Sequence, residues 1–148
     1  MRPRRRVAKW EFTTYAIILA AIALWPTPVD RAGAGLLVKA LKELHRWGFP
    51  GWIDYAFVES ASNVILFVPL GALVVWFLGR RYWWAGVAAG MLLSGLIELA
   101  QLLFLPARYP TLLDVAANTA GATLGSLLAL LVTTLRKPVP NTSPTRTL

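Results

Sequence analysis

The stretch "AGVAAGMLLSGLIELAQLLFL", residues 85–105, is 21 residues long and carries one charged group, Glu98, with Ser94 and Gln101 on either side of it. An uncharged helix of this length crosses the hydrocarbon core of a bilayer. Three more runs have the same character and no charge at all: residues 12–29, 60–78 and 115–135, which are 18, 19 and 21 residues long. The chain has 148 residues, 57% of them hydrophobic and only 15% charged. This composition predicts an all-α polytopic membrane protein with four transmembrane helices.

The 15 Lys and Arg outnumber the 7 Asp and Glu, and they alternate between connections. Ten lie before the first run, between the second and third, or after the fourth, against five in the other two connections (Arg31, Lys39, Lys42, Arg46 and Arg108). By the positive-inside rule both termini are expected in the cytoplasm. The expected organisation is a basic cytoplasmic start (1–11), a transmembrane domain (12–135) and a proline-bearing, disordered cytoplasmic tail (136–148). Basic charge placed this way orients a membrane protein and does not make a nucleic-acid interface. A basic start before a short apolar run also describes a secretory leader. Trp25, Pro26 and Pro28 favour instead a retained helix ending at an interface.

The external segment 30–58 contains "LLVKALKELHRWG", residues 36–48, with Leu37, Leu41, Leu44 and Gly48 on one helical face. It reads equally as an interfacial amphipathic helix and as a cap packed over the bundle. The chain has one histidine, His45, and no cysteine. No metal site and no cofactor is implied.

Given this orientation, the polar residues of the spans share one depth. Asn63 and Asn118 stand near the outer starts of the second and fourth runs, with Glu59 and Asp114 at the same boundary. Glu98 is seven residues from the outer end of its run, and Gln101 and Arg108 lie further out. Ser94, Glu98 and Gln101 form one stripe; Asp114, Asn118, Gly121 and Gly125 form another, polar outside and small within. Asn63, Phe67 and Gly71 make a third, so three helices are expected to face one another around a polar pocket open to the outside. Gly121-x-x-x-Gly125 permits close helix approach. Pro69 kinks its helix by freeing the Ile65 carbonyl.

An unpartnered carboxylate at this depth costs about 2.5–3.5 kcal/mol. Arg108 is the expected partner of Glu98, with Gln101 and Asn118 as further donors. Thr111-x-x-Asp114 has the spacing of a capping box, which gives Asp114 a structural role beside any chemical one. The ligand-contacting candidates are thus Asn63, Glu98, Gln101, Arg108, Asp114 and Asn118, with Glu98 and Asp114 as the candidates for acid–base chemistry.

"NVILFVPLGAL", "IELAQLLF", then Arg108 and "DVAANTAGATLG" resemble, in that order, the VanZ-like membrane proteins of bacteria. The resemblance runs from about Asn63 to Gly125, within a motif region of 59–130, and includes Pro69, Gly71, Gly121 and Gly125. It implies a small polytopic protein of the cell envelope, whose founding type is associated with resistance to the glycopeptide teicoplanin, and it brings no established reaction. The leading expectation is a protein of the cytoplasmic membrane's outer face. It would bind or modify a lipid-linked wall precursor or a lipophilic glycopeptide, in contact with membrane lipids. The alternatives are an intramembrane acid–base enzyme using Glu98 or Asp114, and a small transporter, which would have to oligomerise.

Overall fold

The computed structural model describes residues 3–24, 34–105 and 111–135. Trp25, Pro26, Pro28, Arg108 and the expected disordered tail 136–148 lie outside the described residues. Among those described, the chain is helical: α1 (Pro3–Ala23), α2 (Ala34–Arg46), α3 (Tyr55–Leu78), α4 (Trp83–Phe104, entered through a 3₁₀ turn at Arg80–Tyr82) and α5 (Leu112–Leu135). Helices α3 and α5 and the 3₁₀–α4 unit are long and apolar enough to cross a membrane, whereas the apolar part of α1, Phe12–Ala23, is shorter. Ile65, Trp76, Leu92, Leu102 and Leu135 are each at least 64% exposed. An apolar shell of this extent belongs against lipid, and the protein is a helical membrane protein.

The spans run alternately up and down. Gln101, near the end of α4, meets Ala23 at the end of α1, while Glu98 meets Thr111 just before α5 begins. At the opposite end Phe12 of α1 packs edge-on against Phe77 of α3, with ring centroids 6.0 Å apart.

The tightest seam lies between α5 and α3. A methyl group at Gly121 would overlap the carbonyl of Val64, one at Gly125 that of Val68, and one at Gly71 that of Ala122. Helix α4 joins through a pair of its own, since a methyl at Gly86 would strike Ser126 Oγ and one at Gly90 the Ala122 side chain. Ala122 and Ser126 are fully buried where the three helices meet. Lipid supplies no hydrophobic drive between helices, so this contact rests on close backbone packing. The bulkier core is off to one side, where Leu19 of α1 meets Phe67 and Leu70 of α3.

Pro69 is exposed on the outer side of α3, and Tyr15 of α1 donates a 2.9 Å hydrogen bond to the Leu66 carbonyl, next to the Ile65 carbonyl that the proline relieves of its partner. Helix α2 forms as its periodicity predicts. It ends at Gly48, where φ is 93° and the amides of Gly48 and Phe49 bond back to His45 and Leu44, a Schellman stop that favours glycine. Asp54 then caps α3 by accepting from the Phe57 amide at 2.9 Å.

Gly125→Ala is expected to lower stability by about 1–3 kcal/mol, because its methyl has only backbone to displace. Gly95→Ala, which meets nothing within 4 Å, should gain about 0.5–1 kcal/mol from helix propensity. Thermal unfolding of the purified variants in detergent separates the two; equal shifts would mean that the α3–α5 seam is looser than described.

Candidate functional site

At the end of the bundle where α3 and α5 begin and α4 finishes, the polar residues form a connected chain. Asn63 Nδ2 donates to Asp114 Oδ1 at 2.7 Å. The Thr111 hydroxyl donates to Asp114 Oδ2 at 2.8 Å and lies 3.1 Å from the Asp114 amide nitrogen. The Thr111 amide donates to Glu98 Oε2 at 3.0 Å. Four residues from three spans and one connection are joined, Glu98 through the backbone amide of Thr111.

This is a capping box with one part exchanged. In the usual form the third residue's carboxylate reaches back to the N-cap amide. Here Glu98, from the neighbouring helix, accepts that amide, and Asp114 is released to take Asn63 from α3. Both carboxylates sit at the positive end of the α5 dipole, which answers in part the cost of placing Glu98 in an apolar run. The expected Glu98–Arg108 contact involves a residue outside those described; the Thr111 amide is a partner that sequence reasoning did not foresee.

One helical turn deeper, Asn118 Nδ2 donates to Ser94 Oγ at 2.8 Å. Ser94 is wholly buried and Asn118 is 5% exposed, yet Asn118 Oδ1 is buried without a hydrogen-bond partner among the described residues. Ser94 offers a single hydroxyl, so whichever way the amide is turned one of its ends is left over. A buried unsatisfied polar atom costs about 1–3 kcal/mol. Neighbouring hydroxyls do not share this property. Thr119, Thr123 and Ser126 each donate to the carbonyl four residues back, at 2.7, 2.8 and 2.9 Å.

Gln101 belongs elsewhere. Its amide donates to the Ala23 carbonyl at 2.7 Å, fastening the C-terminal end of α1, whose last carbonyls have no helical partner. Ser94 and Thr111, which sequence reasoning placed on a stripe and at a cap, prove to be the junctions of the network. Gly86 and Gly90 of α4, with the same spacing as Gly121 and Gly125, signalled a close approach that the sequence reading passed over.

The fold and this cluster define a small helical membrane protein that gathers carboxylates and amides at one end of a glycine-packed helix trio. The chain matches the VanZ/LLP1 family model over residues 12–133, and it belongs to that family. The match takes in α1 from Phe12 on and α2 as well as the motif of α3 to α5. No curated protein and no solved structure matches it.

Asn63 and Asp114 should be energetically coupled. A double-mutant cycle with Asn63→Ala and Asp114→Ala, read by thermal unfolding, is expected to give about 0.6–1.7 kcal/mol, the range of side-chain hydrogen bonds between membrane helices. Additive losses would separate the two side chains.

Proposed function

We propose that this VanZ-family protein acts at the outer face of the bacterial cytoplasmic membrane, where it engages the polar head of a lipid-linked envelope component or of a lipophilic glycopeptide. The observation that carries this reading is the unpartnered Asn118 oxygen beneath the Glu98–Thr111–Asp114–Asn63 chain. Oxygen acceptors dominate the cluster, so its natural ligand is rich in donors, as are the hydroxyl and amide groups of glycans and peptides. The end of the Asn118 amide that Ser94 leaves unmet bonds the head when the helices part to admit it. Arg108 contacts an anionic part of the head, and Gln101 acts indirectly by holding α1.

A tail has somewhere to lie. A groove of about 280 Å³ between α1, α3 and α4 is lined by apolar side chains including Leu19, Leu70, Leu93, Leu96 and Ile97. Leu24 and Ala100 line its end beside the Gln101–Ala23 contact, so the slot reaches the end of the bundle where the polar cluster lies.

The orientation is tested first, because the proposal needs the cluster outside. The chain has no cysteine, so an impermeant thiol reagent on intact cells should label Thr111→Cys and leave Arg80→Cys unlabelled. The reverse pattern places the cluster at the cytoplasmic face.

Function is tested by the susceptibility of a producing bacterium to a teicoplanin-like lipoglycopeptide and to a tail-free glycopeptide, at matched membrane levels of each variant. Wild type should protect in a tail-dependent way. Asn118→Leu should lose that protection while melting no lower than wild type, since it removes the orphaned acceptor and leaves Ser94 free to bond its own helix. Gln101→Leu should lose protection together with stability, as α1 loosens. Full protection by Asn118→Leu would show that the site is not the working one, and no protection by wild type would remove the glycopeptide.

A further inference from the structure

Helix α2 and the turn after it present an apolar surface that the bundle does not cover. With about 100° between successive residues of a helix, most side chains of α2 sort into three arcs, and Val38, 40% exposed, lies at the far border of the first. Leu41 is 6% exposed and Leu37, Leu44 and His45 are partly covered; this arc faces the protein, and His45 Nε2 donates to the Ile53 carbonyl at 3.1 Å. Lys39, Lys42, Glu43 and Arg46 form a second, exposed arc, with Arg46 and Glu43 paired at 2.7 Å. Between them lies an apolar edge of Leu36, Ala40 and Trp47, where Leu36 is 73% and Trp47 78% exposed.

That edge continues beyond the helix. Phe49 and Trp52 are exposed, and Trp52 packs edge-on against Phe57 of α3 with ring centroids 5.1 Å apart. Phe57, Ala61 and Ile65 share one face of α3, and Ile65 is 70% exposed in the apolar shell of the spans. Exposed apolar residues thus follow one another along the chain from α2 through its turn, and Trp52 joins them to the apolar shell of α3. The charged arc beside it carries three cations against one anion, which suits a negatively charged surface.

We propose that α2 and its turn form a strap on anionic phospholipid. Leu36, Trp47, Phe49 and Trp52 enter the boundary between headgroups and acyl chains, and Lys39, Lys42 and Arg46 lie at the level of the phosphates. Leu41 and His45 fasten the strap to the protein, so it neither leaves the membrane nor covers the bundle completely. Tryptophan suits this position because its ring is apolar and its N–H is wet.

The test uses the full chain in lipid nanodiscs, with an environment-sensitive fluorophore attached to Leu36→Cys, Trp47→Cys or Glu43→Cys. Spin-labelled lipid should quench the first two about threefold more than the third, and aqueous iodide should show the opposite order. Adding phosphatidylglycerol to a phosphatidylcholine disc should increase lipid quenching at positions 36 and 47, and Lys39→Gln combined with Lys42→Gln and Arg46→Gln should abolish that increase. Equal lipid quenching at all three positions, or free iodide access to all three, would overturn the strap. Protection from both quenchers that rises with the number of protein copies per disc would assign the edge to a second copy and overturn it as well. Insertion indifferent to phosphatidylglycerol would overturn the role given to the three cations.

Discussion

The backbone contact between α5 and α3 sets the geometry of everything else. Gly121 and Gly125 bring α5 so near that Val64 and Val68 offer it their carbonyls rather than their side chains. Helix α4 is admitted to the same line by Gly86 and Gly90. Only at such separations can short side chains such as those of Asn63 and Asp114, or Ser94 and Asn118, meet directly. A longer separation would leave their polar atoms in an apolar medium, where an unmet group is expensive. The glycine seam therefore makes the polar cluster possible.

The cluster combines stability with an incompleteness. Glu98, Thr111, Asp114 and Asn63 exchange hydrogen bonds so that the start of α5 is capped by a neighbouring helix as well as by its own residues. Directly below, Asn118 keeps an acceptor that nothing in the described protein meets. A chain selected for stability alone would place an apolar residue there, as it does at Ala117 and Ala122 beside it. The retained amide is what makes the site a candidate for recognition rather than a cap alone.

Two elements at the bundle's periphery are held to it in different ways. Helix α1 is held by a hydroxyl and an amide, Tyr15 donating to the Leu66 carbonyl and Gln101 to the Ala23 carbonyl, beside an apolar groove. Helix α2 packs Leu41 inward, and Leu36 and the aromatic residues of the turn after it are left uncovered. Helix α2 and the part of α1 from Phe12 on lie within the match to the VanZ/LLP1 family, whose motif region as read from sequence began only at α3.

Much of this was legible in the sequence for a simple reason: bilayer thickness turns a run of apolar residues into a helix of known length, and alternate traverses then give each polar residue a depth. Residues 60–78, 85–105 and 115–135 appear as α3, α4 and α5 with small differences at their ends, and Asn63, Glu98, Asp114 and Asn118 gather at one end as depth required. Helical spacing likewise determined the Thr111–Asp114 cap and the apolar face of α2. What spacing cannot give is rotation of one helix against another, because that depends on which surfaces approach most closely. Tertiary packing alone decided that Glu98 accepts the Thr111 amide, that Gln101 reaches α1 instead of the cluster, and that Asn118 finds only Ser94. It also decided how α2 is divided, since packing against the rest of the chain covers Leu41 and leaves Leu36 and Trp47 exposed.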